Sequence, residues 1–431
     1  MPPEGGGTTP RTLPCLMAGT TRQRRISKDE AAVPAFARSA NCGRRAKNAM
    51  PQQAPRDALR SLSSGRVSRR PVGSAPPDEG GDRRPQFGSL MHPNESSHTG
   101  ASPRPLITAA TREGHVLPVI DIDDPRFAVP DDPDSVRRLM DASMEEDRRR
   151  RRIPKFLLRW MIRSAARRSR LVRALFCSDT TFLDGISTYV MKLGADNLPP
   201  PYDSPADRRV AASPHLVLLR LRTQQVARLL ADALLPDLER TTSTPLHLIN
   251  IAGGTAIDSL NALMILRRRR DGLLRRPIVV HVLDQDDAGP FFGRNALAAL
   301  MRDGGPLADL DVTFDHRPYN WDDTAPLTAL LRDVRAQNAV VAASSEGALF
   351  EYGTDEAIVA NLNALRRGSV QIVVGSVTSS DEARRRMIAI NRFRLFPRGL
   401  EGFVPLAERG GYKIVRAETN QFGEQVLLAP A

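Results

Sequence analysis

The feature that most constrains this chain is the rhythm of its second half. From Leu246 onward, short apolar runs alternate with longer segments of helical spacing. The runs are LHLINIA, PIVVHVLDQ, LDVTFDHRPYN, NAVVAASS and VQIVVGSVT, each followed by a stretch such as AIDSLNALMILRRRR or DEAIVANLNALRR. Runs of this length, bounded by turn residues and too short for buried helices, predict strands. Strand and helix in strict alternation predict a mostly parallel sheet with helices on both faces. The last segment, YKIVRAETNQFGEQVLLAP, reads as two strands joined at a turn near Phe422-Gly423. The expected fold is therefore a doubly wound, seven-stranded α/β sheet ending in an antiparallel hairpin.

Such sheets bind ligands beyond the carboxyl ends of the strands, where strand order reverses. The residues following each strand thus carry the functional information. After the first strand come Asn250, Ile251, Ala252, Gly253, Gly254, Thr255 and Ala256. Small residues let the backbone turn tightly and approach a ligand, with a helix N-terminus behind them. The second strand ends at Asp284, whose carboxylate can accept from both hydroxyls of a ribose. A small-residue turn paired with that acid points to an adenosine-type ligand without saying which.

A terminal hairpin after the fifth strand discriminates further, because dinucleotide dehydrogenases seldom end in one. With it, the segment from Leu246 to the end resembles the class I S-adenosylmethionine-dependent methyltransferases, a Rossmann-like transferase superfamily; no subfamily is distinguished. The resemblance implies S-adenosyl-L-methionine as cofactor and in-line methyl transfer to an acceptor. It places the acid and three spaced glycines of the family's first motif on Asn250, Ala252, Gly254 and Ala256, a departure at three of four positions, with Gly253 inside the loop. It places the ribose acid on Asp284, with Gln285 and Asp286 next in the loop, and the adenine region on Tyr319, Asn320 and Trp321. The residues beside the methyl group and acceptor become Ser344, Ser345 and Glu346.

The loop ASSEGALFEYGTDE is the most unusual in the chain. Glu346 could serve as a general base or orient the acceptor, while Glu346 and Glu351 could instead cap the following turn and helix. Ser345 is the other catalytic candidate, although no histidine is placed to activate it. Tyr352, with Tyr189 and Lys192 from the helical region, forms the expected substrate-binding set; Asp184 stands beside them, and the same residues could simply satisfy one another. His281 lies within a strand, and His316 falls near the ligand edge. Two other functions stay open. The missing acid at Asn250 would suit a non-catalytic, methyltransferase-like binding module, and the glycine turn plus acid would also suit an NAD-binding oxidoreductase.

The rest of the chain divides at about residues 105 and 240. Residues 1–105 are rich in Pro, Gly, Ser and Arg, have no helical or strand period, and predict a disordered tail. Residues 1–104 hold 17 Lys and Arg against 8 Asp and Glu, so most of the net charge of +13 lies there. The excess reflects composition more than a nucleic-acid surface, and no NPPY or DPPY loop follows the fourth strand. The tail could be a transit peptide or an extension ahead of an internal start at Met91. Residues 106–240 predict a mainly helical cap or substrate region, and residues 241–431 the S-adenosylmethionine-binding domain. Within the cap, Asp134 is a candidate N-cap for DSVRRLMDASMEEDRRRRR, and Thr180 or Thr181 for the helix near Tyr189. The stretch 153–176 reads as one basic amphipathic helix with Phe156, Leu157, Trp160, Met161, Leu171, Leu175 and Phe176 on its apolar side. It either packs on the domain or touches a membrane surface. The three cysteines, Cys15, Cys42 and Cys177, form no metal or disulfide pattern, which fits a reducing, cytoplasmic setting. No metal is expected, no run of about 18 apolar residues would span a membrane, and the acceptor is expected to be a small molecule. Oligomeric state is not readable.

Overall fold

The computed structural model describes residues 105–431 except 178–182, 383, 386, 387, 389–393, 421 and 422. The proposed tail, the caps at Thr180 and Thr181, most of the segment after the fifth strand of the sheet and Phe422 fall outside these residues. The described residues fall within one compact unit.

A two-stranded antiparallel ribbon, β1 (Thr108–Ala110) and β2 (Val116–Pro118), comes first. Six helices follow: α1 (Pro133–Arg151), α2 (Lys155–Ala166), α3 (Arg170–Cys177), α4 (Gly185–Met191), α5 (Pro205–Ala211) and α6 (Pro214–Arg240). The α1 cap is Asp132, two residues before the expected Asp134, and its side chain accepts from the Ser135 N–H at 3.0 Å. Pro133 explains the shift, since proline suits the first helical position, where no N–H partner is needed. The expected single helix over 153–176 is two helices, α2 and α3, interrupted at residues 167–169. Buried Ser169 donates to Asp207 at 2.6 Å and accepts from the Val172 N–H, so α3 starts at its own cap.

The large sheet comprises β3 (Leu246–Ile251), β4 (Ile278–Leu283), β5 (Val312–Arg317), β6 (Val340–Ser345), β7 (Ile372–Thr378), β8 (Tyr412–Asn420) and β9 (Gly423–Pro430). Between them run α7 (Ile257–Arg269), α8 (Ala288–Leu300), α9 (Ala325–Arg335), α10 (Leu349–Tyr352), α11 (Asp355–Arg367) and α12 (Gly399–Arg409). The spatial order is β5-β4-β3-β6-β7-β9-β8, with β3 to β7 parallel and β9 antiparallel to both neighbours. Every strand matches an expected run, and the hairpin sits inside the sheet.

Alternate strand residues feed two cores. Leu246 and Leu248 of β3 pack with α6, α7 and α8, through residues such as Leu260 and Phe292; Ile249 and Ile251 pack with α9, α11 and α12, through Leu327, Leu362 and Phe403. Helix α6 is about 40 Å long at 1.5 Å per residue and packs against α7 and the strands β6 to β9. Strand order reverses between β3 and β6, so the ligand edge expected of such a fold lies at the carboxyl ends of these two strands.

Candidate functional site

The loop after β3 keeps the backbone of a three-glycine turn while holding one glycine at those positions. Ala252, Gly254 and Ala256 have φ of 52°, 57° and 52°, all left-handed. That conformation costs a residue with a Cβ about 1–2 kcal/mol, so the two alanines are held there by their surroundings. The Ala252 N–H donates to the Leu283 carbonyl at 2.7 Å, and the Ala256 N–H to Gly253 at 3.1 Å. The Gly254 N–H donates to Asp284 Oδ2 at 2.9 Å, while Asp284 Oδ1 accepts from the Asp286 N–H at 2.9 Å. The turn and the acid are therefore joined at one edge of the sheet. Burial, only partly offset by these two N–H donors, raises the Asp284 pKa. Each carboxylate oxygen retains a second acceptor site.

Asn250 lies under the loop. It is fully buried, and its amide donates to Asp258 Oδ1 at 2.7 Å and to Ser344 Oγ at 3.1 Å. A carboxyl group is thus present behind the turn, supplied by the first turn of α7 and not by the end of β3. Burial raises the pKa of Asp258. Among the described residues, Asn250 Oδ1 has no hydrogen-bond partner.

Helix α4 lies across the same loop. Its cap, Asp184, accepts from the Ser187 N–H at 2.7 Å. A Cβ on Gly185 would stand 3.1 Å from Gly289 Cα, and one on Gly289 would stand 2.9 Å from Gly254 Cα. Three backbones from α4, the β3 loop and α8 therefore meet at van der Waals contact, which only glycine permits.

The edge between β6 and α10 holds a closed set of charges. Both Glu346 oxygens are engaged: Oε2 accepts from Lys192 Nζ, and Oε1 from Arg222 Nε at 2.7 Å. Arg222 Nη1 reaches Glu351 Oε2 at 3.0 Å, and Thr378 Oγ1 donates to Glu351 Oε1 at 2.9 Å. Lys192, Arg222, Glu346 and Glu351 are all buried. Burial alone would raise the Glu346 pKa, but Lys192 and Arg222 outweigh it and hold the carboxyl below the usual range. In Arg222, Glu351 and Glu346 overcome the opposite effect of burial and raise the pKa. A carboxylate held ionised with both oxygens committed is a weak proton acceptor. Nor do Glu346 and Glu351 cap the helices. Ser345 Oγ accepts from the Leu349 N–H at 3.0 Å, and Thr354 caps α11. Ser345 Oγ also donates to the Ile251 carbonyl at 3.1 Å, so its hydroxyl is committed to the backbone and unsuited to act as a nucleophile.

The other expected residues divide. Ser344 joins Asn250, and Lys192 joins Glu346. Tyr352 is half-buried next to this cluster, its pKa raised by burial and then by Glu351. Tyr189 does not belong there: it is buried against Phe292, donates to the Pro118 carbonyl at 2.7 Å and accepts from the Ile120 N–H at 2.9 Å. Its hydroxyl fastens the segment after β2 and is spent. Gln285 is exposed beside Asp284. Asn320 is exposed, its Oδ1 accepting from the Asp322 N–H at 3.1 Å, and Trp321 is half-buried with its carbonyl bound to Asn361 at 2.8 Å. His316 Nε2 lies 3.0 Å from the Asp284 carbonyl. The residue that sequence reading passes over is Arg222. Its signal is the run Arg222-Thr223-Gln224-Gln225, four consecutive polar residues buried in mid-helix. Among the described residues, no group of three or more His, Cys, Asp or Glu could hold a metal ion.

The parallel strands, the reversal between β3 and β6 and the inserted antiparallel β9 decide the architecture. The fold is that of the class I methyltransferases. No protein-family model and no curated protein matches the chain. Among solved structures it is similar to TnmH, at 17% identity over 53% of this chain and 62% of that one, TM-score 0.32. It is similar also to NcsB1, an O-methyltransferase from neocarzinostatin biosynthesis in complex with S-adenosyl-L-homocysteine and 1,4-dihydroxy-2-naphthoic acid, at 16% identity, 43% and 49% coverage and TM-score 0.28. A third is a possible exported protein from Bordetella parapertussis, at 16% identity, 64% and 96% coverage and TM-score 0.39. The chain thus spans 62% and 49% of the first two. Likeness of this degree carries no function across, and the class I methyltransferase fold stands on the strand order and hairpin.

Proposed function

We propose that the protein is an S-adenosylmethionine-dependent methyltransferase acting on a small-molecule acceptor. One observation carries the reading: Ala252, Gly254 and Ala256 all hold left-handed backbone, and the Gly254 N–H meets the Asp284 carboxylate at 2.9 Å at the switch point of the sheet. The adenosine half of the cofactor would lie along this edge once α4 has moved off it. The remaining acceptor sites of Asp284 would hold the ribose hydroxyls, and Gln285, Asn320 and Trp321 flank the place for the base. Gly253 sits directly above Asn250, its Cβ position 1.9 Å from Asn250 Oδ1, so only a glycine lets the loop lie so low.

When bound, the cofactor supplies an electrophilic methyl carbon on a sulfonium. The chain supplies position. Asp284 and the loop fix one end, while Lys192, Arg222 and Glu346 form a rigid charged floor beside the acceptor. With Glu346 tied by two cations, the residues around it are built to align an acceptor and exclude water, an effect able to supply several kcal/mol of the barrier. The acceptor is accordingly one that needs no strong base, such as an acidic hydroxyl or an amine. Helix α4 covers the loop, so ligand entry requires its N-terminus to move off Gly254 and Gly289.

Calorimetric titration with S-adenosylhomocysteine and with NAD tests the reading. The expected result is binding of the first alone, weakened about 10–100-fold in Asp284→Ala by loss of a charge-assisted hydrogen-bond pair. Absence of S-adenosylhomocysteine binding would overturn it. Binding without methyl transfer to any acceptor would instead make the domain a binding module, with the closed Lys192–Glu346–Arg222 cluster as the physical reason.

A further inference from the structure

Helix α2 presents its apolar side to solvent. Phe156 is 76% exposed, Trp160 65%, Met161 44% and Leu157 38%. These four, at positions i, i+1, i+4 and i+5, share one face of a helix turning 100° per residue. The opposite side meets α3 and includes buried Ala166 and half-buried Ile162. Scattered single apolar residues are ordinary at a surface, but a Phe, a Trp, a Met and a Leu on adjoining turns form a patch.

The charge around the patch is one-sided. Residues 148–177 contain 12 Lys and Arg and no Asp or Glu. Arg163, Arg167 and Arg168 lie exposed along α2 and just beyond its end. A bulky apolar strip rimmed by arginine is the chemistry of a helix that lies in a lipid headgroup layer, aromatic side down and cations against phosphate.

We propose that α2 and its arginine rim are a docking surface for an anionic membrane. Two other occupants are disfavoured by charge. A second copy joined face to face would bring two such rims together, since a two-fold interface repeats the same patch on both sides. The chain's own residues 1–104 are themselves basic, with 17 Lys and Arg against 8 Asp and Glu, and would be repelled. A nucleic acid would satisfy the arginines but leaves the Phe156–Met161 strip without an apolar partner. No described helix is long and apolar enough to cross a membrane, so the contact is peripheral.

The test is co-sedimentation of the full chain with vesicles of phosphatidylcholine alone or with 30% phosphatidylserine. Binding is expected to the anionic vesicles and to fall as salt rises. Trp160 and Trp321 are the only two tryptophans. The fluorescence blue shift on binding should therefore survive Trp321→Phe and vanish in Trp160→Phe. Phe156→Ser with Trp160→Ser should lower partitioning at least about tenfold, in line with the transfer energy of two large side chains. Arg163→Gln, Arg167→Gln and Arg168→Gln together should lower it about a hundredfold, at roughly fivefold per charge. All these side chains are exposed, so the thermal unfolding midpoint serves as a check that the variants fold. Three results would each overturn the proposal: anionic-vesicle binding unchanged in the Phe156/Trp160 variant, which would locate the affinity in residues 1–104; a dimer in sedimentation that the same variant dissolves; or tighter binding to duplex RNA than to vesicles, indifferent to Phe156 and Trp160.

Discussion

Ala252 and Ala256 hold backbone that glycine adopts at no cost. A substitution that usually weakens a protein should therefore strengthen this one. Ala252→Gly is expected to raise stability by about 1 kcal/mol, as relief of the left-handed strain outweighs the added freedom of the unfolded chain, whereas in Ala256→Gly the loss of a fully buried methyl group, worth about 0.8 kcal/mol, offsets the relief; urea denaturation would register the difference. Arg222 behaves oppositely. Removing its guanidinium leaves Glu346 and Glu351 buried with less compensation, and Arg222→Ala is expected to cost about 3–5 kcal/mol. The same variant should shift the acid limb of the stability curve. Glu346 is held below its usual pKa, so its contribution is complete above pH 4.5, the unfolded value, and fades as acid protonates it. Without Arg222 its folded pKa rises and the contribution shrinks, which urea midpoints at pH 4 and 7 would show. These residues differ in how much the sequence reveals. Asp284 is legible because a strand end and its ligand edge fix where a carboxylate must lie. The partnership of Lys192 and Glu346 is not, for 154 residues separate them and only the folding of α4 across the sheet brings them together.

At the scale of elements, strands are the legible part. Their β-branched runs are short and bounded, and all seven of the large sheet lie where the runs predict. Helices mislead where polar residues are buried or apolar ones exposed. In α6 the buried run from Arg222 to Gln225 hides in an otherwise regular helix, and in α2 the apolar side faces out. The break between α2 and α3 is equally obscure, since Ser169 and its partner Asp207 are joined only in the fold. The junction of α4, the β3 loop and α8 yields a prediction of its own. Gly289→Ala would press a methyl group to 2.9 Å from Gly254 Cα, with backbone on the far side that cannot yield cheaply. Overpacking there should destabilise by about 1–3 kcal/mol, and amide exchange should quicken in residues 252–256 if α4 lifts to relieve it. Across β3, β4 and β5, His247 Nδ1 lies 2.9 Å from His281 Nε2, and His281 Nδ1 lies 2.9 Å from Asp315. Burial, then the neighbouring His281, lowers the His247 pKa to about 4. Between pH 4 and 6.5 the unfolded chain binds a proton there that the folded chain does not, so stability should rise with pH across that window. In His247→Gln the urea midpoint should change less between pH 5 and 7 than in the parent.

At the scale of the whole molecule, both cores lean on one sheet, and the position of β9 governs its closure. This strand follows all the others in sequence yet lies between β7 and β8, with antiparallel pairing on both sides. Deleting Gly423–Ala431 would remove an interior strand, and Val426 and Leu428 with it from the second core. The expected outcome is global unfolding, seen as collapse of the circular dichroism signal and rapid proteolysis of the entire compact unit. There is also a consequence for biosynthesis. While the ribosome is still holding the final strand in its exit tunnel, β7 waits with a bare hydrogen-bonding edge and β8 has nowhere to pair. The nascent chain would carry that sticky margin only from the emergence of β7, when most of the sheet is already made, until Gly423–Pro430 leave the tunnel and close it.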